Sequence, residues 1–224
     1  MPNHVTNILE LVGDEDTIKK CLDAIKGDED HSIIDFRKIL PMPELLSHIG
    51  SGRTIIDGQA YEEWYFDTDP DNPYLTINRK LTGPEYRELQ KHPERNWYDW
   101  SIAHWGTKWN AYDQEFISQS EEYVSFRFDT AWSSPMPVIE TLAKMFPTLT
   151  FGLTYADEDL GYNTGKVRFN LGYVVQESYP EGGSNEAFEI VLVCKDYASE
   201  YIKKDEDGNY GYVDDDDYDE QEVA

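Results

Sequence analysis

Apolar residues recur along the first segment of the chain at spacings that distinguish strand from helix. Residues 4–12 are rich in β-branched and apolar side chains and run into Gly13, which predicts a strand. Asp14 follows in the position of an N-cap. Apolar residues then recur every three or four positions, which predicts a helix over residues 14–26 that Gly27 ends.

A second unit of the same kind follows later in the sequence. Residues 123–129 alternate apolar and polar positions, which predicts a strand, and residues 134–146 combine a serine cap, prolines in the first turn and an apolar face, which predicts a helix. Residues 149–156 alternate again. With a further strand expected at residues 107–112, the order is βαββαβ. This order predicts an α+β, ferredoxin-like split fold with both helices on one face of an antiparallel sheet.

Residues 30–104 interrupt this order and are interpreted as a helical or irregular insertion. Thr82 and Glu85 have the spacing of a capping box, with Pro84 in the first turn, which predicts one helix. A second helix is expected over about residues 97–104, ahead of Gly106.

The C-terminal part of the chain predicts an extension of the same domain. Alternating residues after about residue 166 form a hairpin with the preceding strand, and the apolar run 188–194 predicts a last strand, so extra strands are expected over about residues 166–194. Residues 1–201 then form a single domain. Residues 202–224 are interpreted as a disordered acidic tail, because an acidic segment with little to bury cannot offset its chain entropy.

Composition indicates a soluble protein of the bacterial cytoplasm. No apolar run approaches the roughly 20 residues of a membrane helix, and the first residues lack the basic and apolar regions of a secretory signal. The two cysteines, Cys21 and Cys194, lie far apart without a CxxC partner, so we expect buried free thiols and neither a disulfide framework nor a zinc site.

The net charge narrows the range of partners. The chain carries a net charge of −26, and the residues from Asp205 onward contribute ten negative charges and no Lys or Arg, which leaves −16 for the rest. Nucleic acids and anionic lipids bind through Lys and Arg, so direct nucleic-acid binding and membrane binding are not expected. The acidity favours a basic partner, namely a protein surface that itself holds nucleic acid.

Tryptophans cluster in the middle of the chain, where five of the six lie between residues 97 and 132. Trp105, Trp109 and Trp132, with His104, are candidates for a ligand platform that stacks on a base or nucleotide. The alternative, which we favour, is that they pack the seam between the insertion and the sheet, because Lys108 is the single cation in the segment 105–113.

Other candidate sites are weaker. Asp157, Glu158 and Asp159 are interpreted as a solvated hairpin loop, with a partner contact or a metal site as the alternative. Acidic runs that start at Asp67 and Asp205 resemble calcium loops but lack residues that such a loop requires. Paired histidines, a GxSxG serine and a complete phosphate loop are absent from the sequence. We therefore assign no catalytic residue, cofactor or metal ligand, and expect a protein that is not an enzyme.

Particular segments resemble a known family. Residues 1–7, 39–44, 105–112, 128–133 and 155–161 resemble the YubB-type ferredoxin-like family that bacterial plasmids and phages carry, and the resemblance covers roughly residues 1–195. It implies a mobile-element protein with a ferredoxin-like domain and supplies no catalytic residues. Many genes in such neighbourhoods counter host defence.

Charge and resemblance together give an expected function. The leading hypothesis is a non-catalytic acidic accessory protein of a phage or plasmid that binds a basic host protein. It would act as an anti-restriction or anti-CRISPR factor does, by occupying a nucleic-acid groove. One alternative is an enzyme or small-ligand binder with a pocket between insertion and sheet, lined by Trp105, Trp109, Trp132 and His104. Another is a structural or assembly protein whose acidity confers solubility. The oligomeric state stays open.

Overall fold

Twelve strands and seven helices, joined by short loops, make up the described part of the chain. The structure is a computed structural model, and it describes residues 3–50, 54–56, 58–61, 64–69 and 72–213. The strands are β1 (His4–Val12), β2 (Thr54–Ile56), β3 (Gln59–Tyr61), β4 (Tyr65–Asp69), β5 (Asn72–Arg79), β6 (Tyr112–Gln119), β7 (Tyr123–Ala131), β8 (Thr150–Asp157), β9 (Thr164–Asn170), β10 (Tyr173–Ser178), β11 (Ile202–Lys204) and β12 (Tyr210–Tyr212). The helices are α1 (Glu15–Ile25), α2 (Phe36–Ile39), α3 (Glu44–Ser47), α4 (Gly83–Leu89), α5 (Trp97–His104), α6 (Met136–Met145) and α7 (Asn185–Cys194).

The central sheet has six antiparallel strands in the order β10-β9-β8-β1-β7-β6. Four neighbouring strands at one end of the sheet, β8-β1-β7-β6, are the strands of the βαββαβ unit. The helices α1 and α6 connect them in the sequence. This arrangement confirms the predicted α+β, ferredoxin-like fold. β1 lies at the centre and pairs with β7 on one side and with β8 on the other.

Each face of the sheet buries its own apolar cluster. The front face, which includes Leu9, Phe126 and Leu153, packs against α1 and α6. The insertion joins this cluster through buried side chains of α2, α3, α4 and α5. The back face, which includes Ile8 and Ala156, packs instead against α7. The sheet is therefore covered on both sides near β1 and β8.

The insertion is more regular than its sequence indicated. The predicted helices at α4 and α5 are present, and Thr82 and Glu85 form the expected capping box. Two β-hairpins, β2–β3 and β4–β5, lie between α3 and α4 and were not predicted. Their strands are short, and Gly and Pro residues around them hide the alternation that identifies a strand.

The strand predicted at 107–112 was wrong in position, because the strand begins at Tyr112 and continues to Gln119. Residues before Tyr112 are held by side-chain hydrogen bonds in place of a strand ladder: the Thr107 hydroxyl donates to the Ala131 carbonyl at 2.8 Å. β6 itself is an exposed edge strand, so its residues do not show the periodicity of a half-buried strand.

The final strand predicted at 188–194 was also wrong, because this segment forms helix α7. Ser184 caps the helix by accepting a hydrogen bond from the Ala187 amide. Phe188, Val191 and Cys194 are buried at helical spacing against the back face. Tertiary packing thus outweighs the strand preference of its β-branched residues.

The disordered tail predicted from residue 202 was wrong for its first part. Residues 202–213 form the hairpin β11–β12, and the rings of Tyr210 and Tyr212 contact Phe188 of α7. Residues 214–224 lie outside the described residues. The apolar surface of α7 supplies the burial that the tail sequence lacks.

Both cysteines are buried and free, as predicted, and burial raises the pKa of each thiol to about 12. Within the described ranges, the helices are too short or too polar to cross a membrane.

Candidate functional site

Trp105 and Gly106, in the tryptophan-rich segment, join the insertion to the sheet. Trp105 is 5% exposed, and its indole Nε1 donates to the Leu40 carbonyl of the insertion at 2.9 Å. Gly106 adopts φ +76°, a conformation that glycine accepts most readily, and its carbonyl accepts a hydrogen bond from the Ser133 hydroxyl. These contacts fix the insertion to the end of β7, which is the packing alternative expected for Trp105.

Two amide side chains strengthen the same junction. The Gln114 Oε1 accepts from the amides of Ile33 and Ile34, both at 2.7 Å, and its Nε2 donates to the Ile34 carbonyl at 3.0 Å. Asn110 accepts from the Phe36 amide at 2.8 Å. The apolar and polar periodicity of the sequence cannot reveal these roles, because each side chain bonds to backbone groups that a neighbouring strand or helix would otherwise satisfy.

His104 lies apart from the other candidate residues. Its ring stacks on Trp100 at 4.5 Å between centroids, and its Nε2 is 3.4 Å from a Glu94 carboxylate oxygen. The structure gives it the role of a helix-end partner of Glu94.

Trp109 and Trp132 are exposed, unlike Trp105, by 37% and 39%. The Lys108 Nζ lies 4.9 Å from the ring centroid of each indole, which places a cation between two aromatic rings. Trp132 also contacts the Tyr98 ring edge-on. The structure thus brings Trp109 and Trp132 together around one lysine.

The backbone of Trp132 is held in an unfavourable conformation. Its φ of 74° is rare for a bulky residue and costs about 1–3 kcal/mol. The Trp132 amide donates to the Asn3 carbonyl at 2.8 Å, and the Asn163 side chain donates to the Trp132 carbonyl at 3.2 Å. These bonds pin the position of an indole that remains exposed.

Asp157, Glu158 and Asp159 do not form one solvated loop. Asp157 is buried and accepts hydrogen bonds from the side chains of Asn3 and Asn163 and from the Asp159 amide. Glu158 and Asp159 are exposed. The first carboxylate therefore orders the loop, while the next two are presented to solvent.

Tyr112 connects the tryptophans to the acidic residues. Its hydroxyl is 2.7 Å from His4 Nδ1 and donates to the Thr130 carbonyl at 3.1 Å, and its ring contacts Trp109. Burial raises the pKa of Tyr112 to about 12, and the nearby charges of Asp129, Asp113 and Glu158 add to the effect. Sequence patterns cannot reveal this role, because Tyr112 is predicted as the end of a strand and is in fact the first residue of β6.

These contacts define one surface, which we call the sheet-end patch: Lys108, Trp109, Asp113, Trp132 and Glu158. It combines two exposed indoles with more carboxylates than cations. Aromatic and acidic side chains in this combination suit a partner that presents Lys or Arg beside apolar groups.

A cleft of about 1160 Å³ adjoins the patch on the insertion side. Trp97, Trp105 and Trp109 line it, but Trp132 and His104 do not. Arg37, one of its cations, is already held by Asp35 at 2.8 Å. Among the described residues, no group of three or more His, Cys, Asp and Glu side chains is arranged to hold a metal ion.

Comparison with family models matches one segment of the chain, and this segment contains the sheet-end patch. Residues 104–195 match the family model described as the ferredoxin-like domain in Api92-like protein. This Api92-like segment spans β6 to α7, and so includes all five residues of the sheet-end patch but neither β1 nor the insertion.

Among solved structures, the chain resembles the crystal structure of the protein Api92 from Yersinia pseudotuberculosis. The TM-score is 0.48 at 12% sequence identity, and the alignment covers 81% of this chain and 99% of that one. No curated protein sequence matches the chain.

Proposed function

We propose that this chain is a non-catalytic binding protein that engages a basic protein of a bacterial host in the cytoplasm through the sheet-end patch. One observation carries the proposal: Trp109 and Trp132 remain more than one-third exposed, although the surrounding hydrogen bonds and Lys108 hold them in place. Tryptophan is enriched among the residues that dominate binding energy in protein interfaces.

Charge supports a basic partner over a nucleic acid. The charges of Asp113 and Glu158 reach Tyr112, whose ring contacts Trp109, and the chain outside its acidic end carries −16 of the total −26. A phosphate backbone would meet this charge without the Lys and Arg residues that replace its counterions. A basic protein would be attracted to it, and salt would weaken the attraction.

The proposal extends to the setting of the protein. The resemblance to a family carried by plasmids and phages supports a mobile-element origin, and an anti-restriction or anti-CRISPR role would make the partner a nucleic-acid-binding host protein. Such a partner has a basic groove that an acidic surface fits.

Imitation of DNA itself has weaker support than binding of a basic protein. The exposed edge strand β6 and its following turn carry Asp113, Glu115, Glu121 and Glu122 over roughly 30 Å. One strand of duplex would present about nine phosphates over that length. Glu115 is moreover paired with Arg127. The charge density of this edge therefore suits an ionic contact and falls short of a duplex.

The test is affinity capture from host lysate with wild type and patch variants. We expect a partner that is retained at low salt, released at high salt, and lost on Trp109→Ala or Glu158→Lys. Two matched controls, Tyr173→Ala and Glu181→Lys, change exposed residues of the same types elsewhere and should retain the partner.

Addition of duplex DNA divides the outcomes further. Release of the partner by DNA supports contact with its nucleic-acid groove, whereas retention places the contact elsewhere on the partner. A partner that binds all four variants equally, or an eluate without a salt-sensitive protein, would count against the proposal.

The volume of the cleft favours a second candidate function, binding of a small aromatic ligand. About 1160 Å³ is enough space for a nucleotide-sized ligand, and Trp97 and the exposed Trp109 line the cleft and supply stacking surfaces. Titration with nucleotides should then produce a saturable change in tryptophan fluorescence that Trp97→Ala removes. A linear, non-saturating change would exclude this function.

A further inference from the structure

A buried lysine lies on the back face of the sheet, away from the front-face core. Lys195 follows α7 and is 4% exposed, and its Nζ donates to the Thr6 hydroxyl of β1 at 3.0 Å. Among the residues that the structure describes, Lys195 forms no ion pair. Lysines are rarely buried so deeply without a paired carboxylate, so this one needs an explanation.

Lys195 lines a cavity of about 560 Å³ between α7 and the edge of the sheet. This volume lies within the range of small-molecule sites in proteins. The lining of the cavity includes these polar and charged side chains: Thr6, Asp113, Gln114, Glu115, Arg127, Asp129, Lys195, Asp196 and Tyr197.

The charged groups around the cavity are mostly engaged with one another. Arg127 pairs with Glu115 of β6 and lies 3.5 Å from Asp196 in the segment after α7. Asp129 of β7 lies directly opposite Thr6 in the pairing of β7 with β1, and interaction with the Thr6 side chain acts on the pKa of its carboxyl. The Thr6 hydroxyl thus accepts from the Lys195 amine and lies on the strand position next to the Asp129 carboxyl group.

Burial favours the uncharged forms of the Lys195 amine and the Asp129 carboxyl group. It lowers the pKa of Lys195, although the charges of Asp129, Asp157 and Glu158 oppose this. It raises the pKa of Asp129, with a smaller contribution in the same direction from Asp113 and opposing ones from Thr6, Lys195 and His4. An amine and a carboxylic acid joined through a hydroxyl have the composition of a nucleophile with a proton donor.

We propose that Lys195 is a reactive amine whose cavity binds a small aldehyde or ketone and captures it as an imine. The Nζ lone pair forms a bond to the carbonyl carbon as the C=O π bond breaks, and one proton passes from Nζ to the carbonyl oxygen, which becomes a hydroxyl. Asp129, through Thr6, supplies the proton with which that hydroxyl leaves as water, and the nitrogen gives up a proton to restore the carboxylic acid. Amine and carbonyl compound yield imine and water, without oxidation or reduction.

The test is reductive labelling of the full chain with propanal or benzaldehyde and cyanoborohydride at pH 6.5, followed by peptide mass spectrometry. Exposed lysines such as Lys20 and Lys203 are internal controls, because their amines lie in solvent, outside the cavity that Lys195 lines. We expect Lys195 to be labelled at least tenfold faster than either. This comparison is made within wild type, so it does not depend on whether a variant folds.

Two variants test the relay. Asp129→Asn and Thr6→Val should slow the labelling of Lys195 and leave that of Lys20 and Lys203 unchanged. Labelling of Lys195 no faster than that of the exposed lysines would overturn the proposal. So would saturable binding of inorganic phosphate without labelling, which would assign Lys195 to anion binding.

Discussion

Replacement of Gln114 by alanine should loosen the attachment of the insertion to the sheet. The Gln114 side chain is the hydrogen-bond partner of four backbone groups: the amides of Ile33 and Ile34 and the carbonyls of Ile34 and Ala111. Ile34 is fully buried and Ile33 is 9% exposed. Alanine would leave these groups without their partner, while the surrounding apolar packing would stay.

The size of the effect follows from the number of groups left unpaired. A buried backbone group without a partner costs about 1–3 kcal/mol. Gln114 borders two clefts through which water can reach part of the vacated space, so the lower end of this range applies. We expect a loss of roughly 2–3 kcal/mol in the free energy of unfolding, which corresponds to a melting temperature lower by about 5–10 °C.

Urea unfolding followed by fluorescence measures this loss, and two further variants control it. Gln119→Ala changes an exposed glutamine of the same strand and should alter stability by less than about 0.5 kcal/mol. Gln114→Glu keeps the acceptor oxygens but faces the Ile34 carbonyl with a carboxylate. That repulsion raises the pKa of the introduced carboxyl in the folded protein, so the deficit of this variant should shrink as the pH falls and the carboxyl becomes a donor. Equal stability of Gln114→Ala and Gln119→Ala would refute the assignment.

Three other outcomes are expected. Gly161→Ala should destabilise the fold by about 1–3 kcal/mol in urea unfolding, because Gly161 has φ +87° and an added Cβ would lie 2.7 Å from the Phe188 ring; an unchanged midpoint would contradict this. Hydrogen bonding from Arg79 lowers the pKa of Glu85 to about 2, so its stabilising contribution is present above the ordinary glutamate pKa and is lost as the pH falls toward 2. Glu85→Gln should therefore flatten that part of the stability profile, and an identical acid profile would exclude the contribution. Trp105→Phe removes the indole hydrogen bond to the insertion and should lower the melting temperature. Trp109→Phe changes an exposed tryptophan and is the control. An equal fall in melting temperature in both variants would contradict the role assigned to the buried Trp105.

The sequence predicted the ferredoxin-like core because its elements are half-buried. β1 and β7 alternate, and α1 and α6 carry one apolar face each, so burial leaves a periodic record in the sequence. That record is absent from β6, which is exposed along its length, and misleading in α7, whose apolar run is as compatible with a strand as with a helix.

The candidate site was predicted in part. Trp109 and Trp132 are exposed and share Lys108, and Glu158 is exposed as well, whereas Trp105 and Asp157 are internal and His104 lies apart. Composition marks which residues can take part in a site. It does not show which of these residues will be held inside the protein by a residue that is distant in the sequence. Asp157, which accepts a hydrogen bond from Asn3, is an example.

The central position of β1 has a consequence for how the chain folds during synthesis. β1 pairs with β7 and β8, so its two neighbours are made more than one hundred residues later. Until the ribosome has released residue 131, the apolar side chains of β1 have no neighbouring strand, and β1 gains its second neighbour only after residue 157. The insertion adds to this delay, although the entropic cost of closing a longer loop grows slowly with its length. Folding is therefore expected to begin in the hairpin of β8 and β9 and to recruit β1 last, so a chain truncated before β8 should expose β1 to proteolysis.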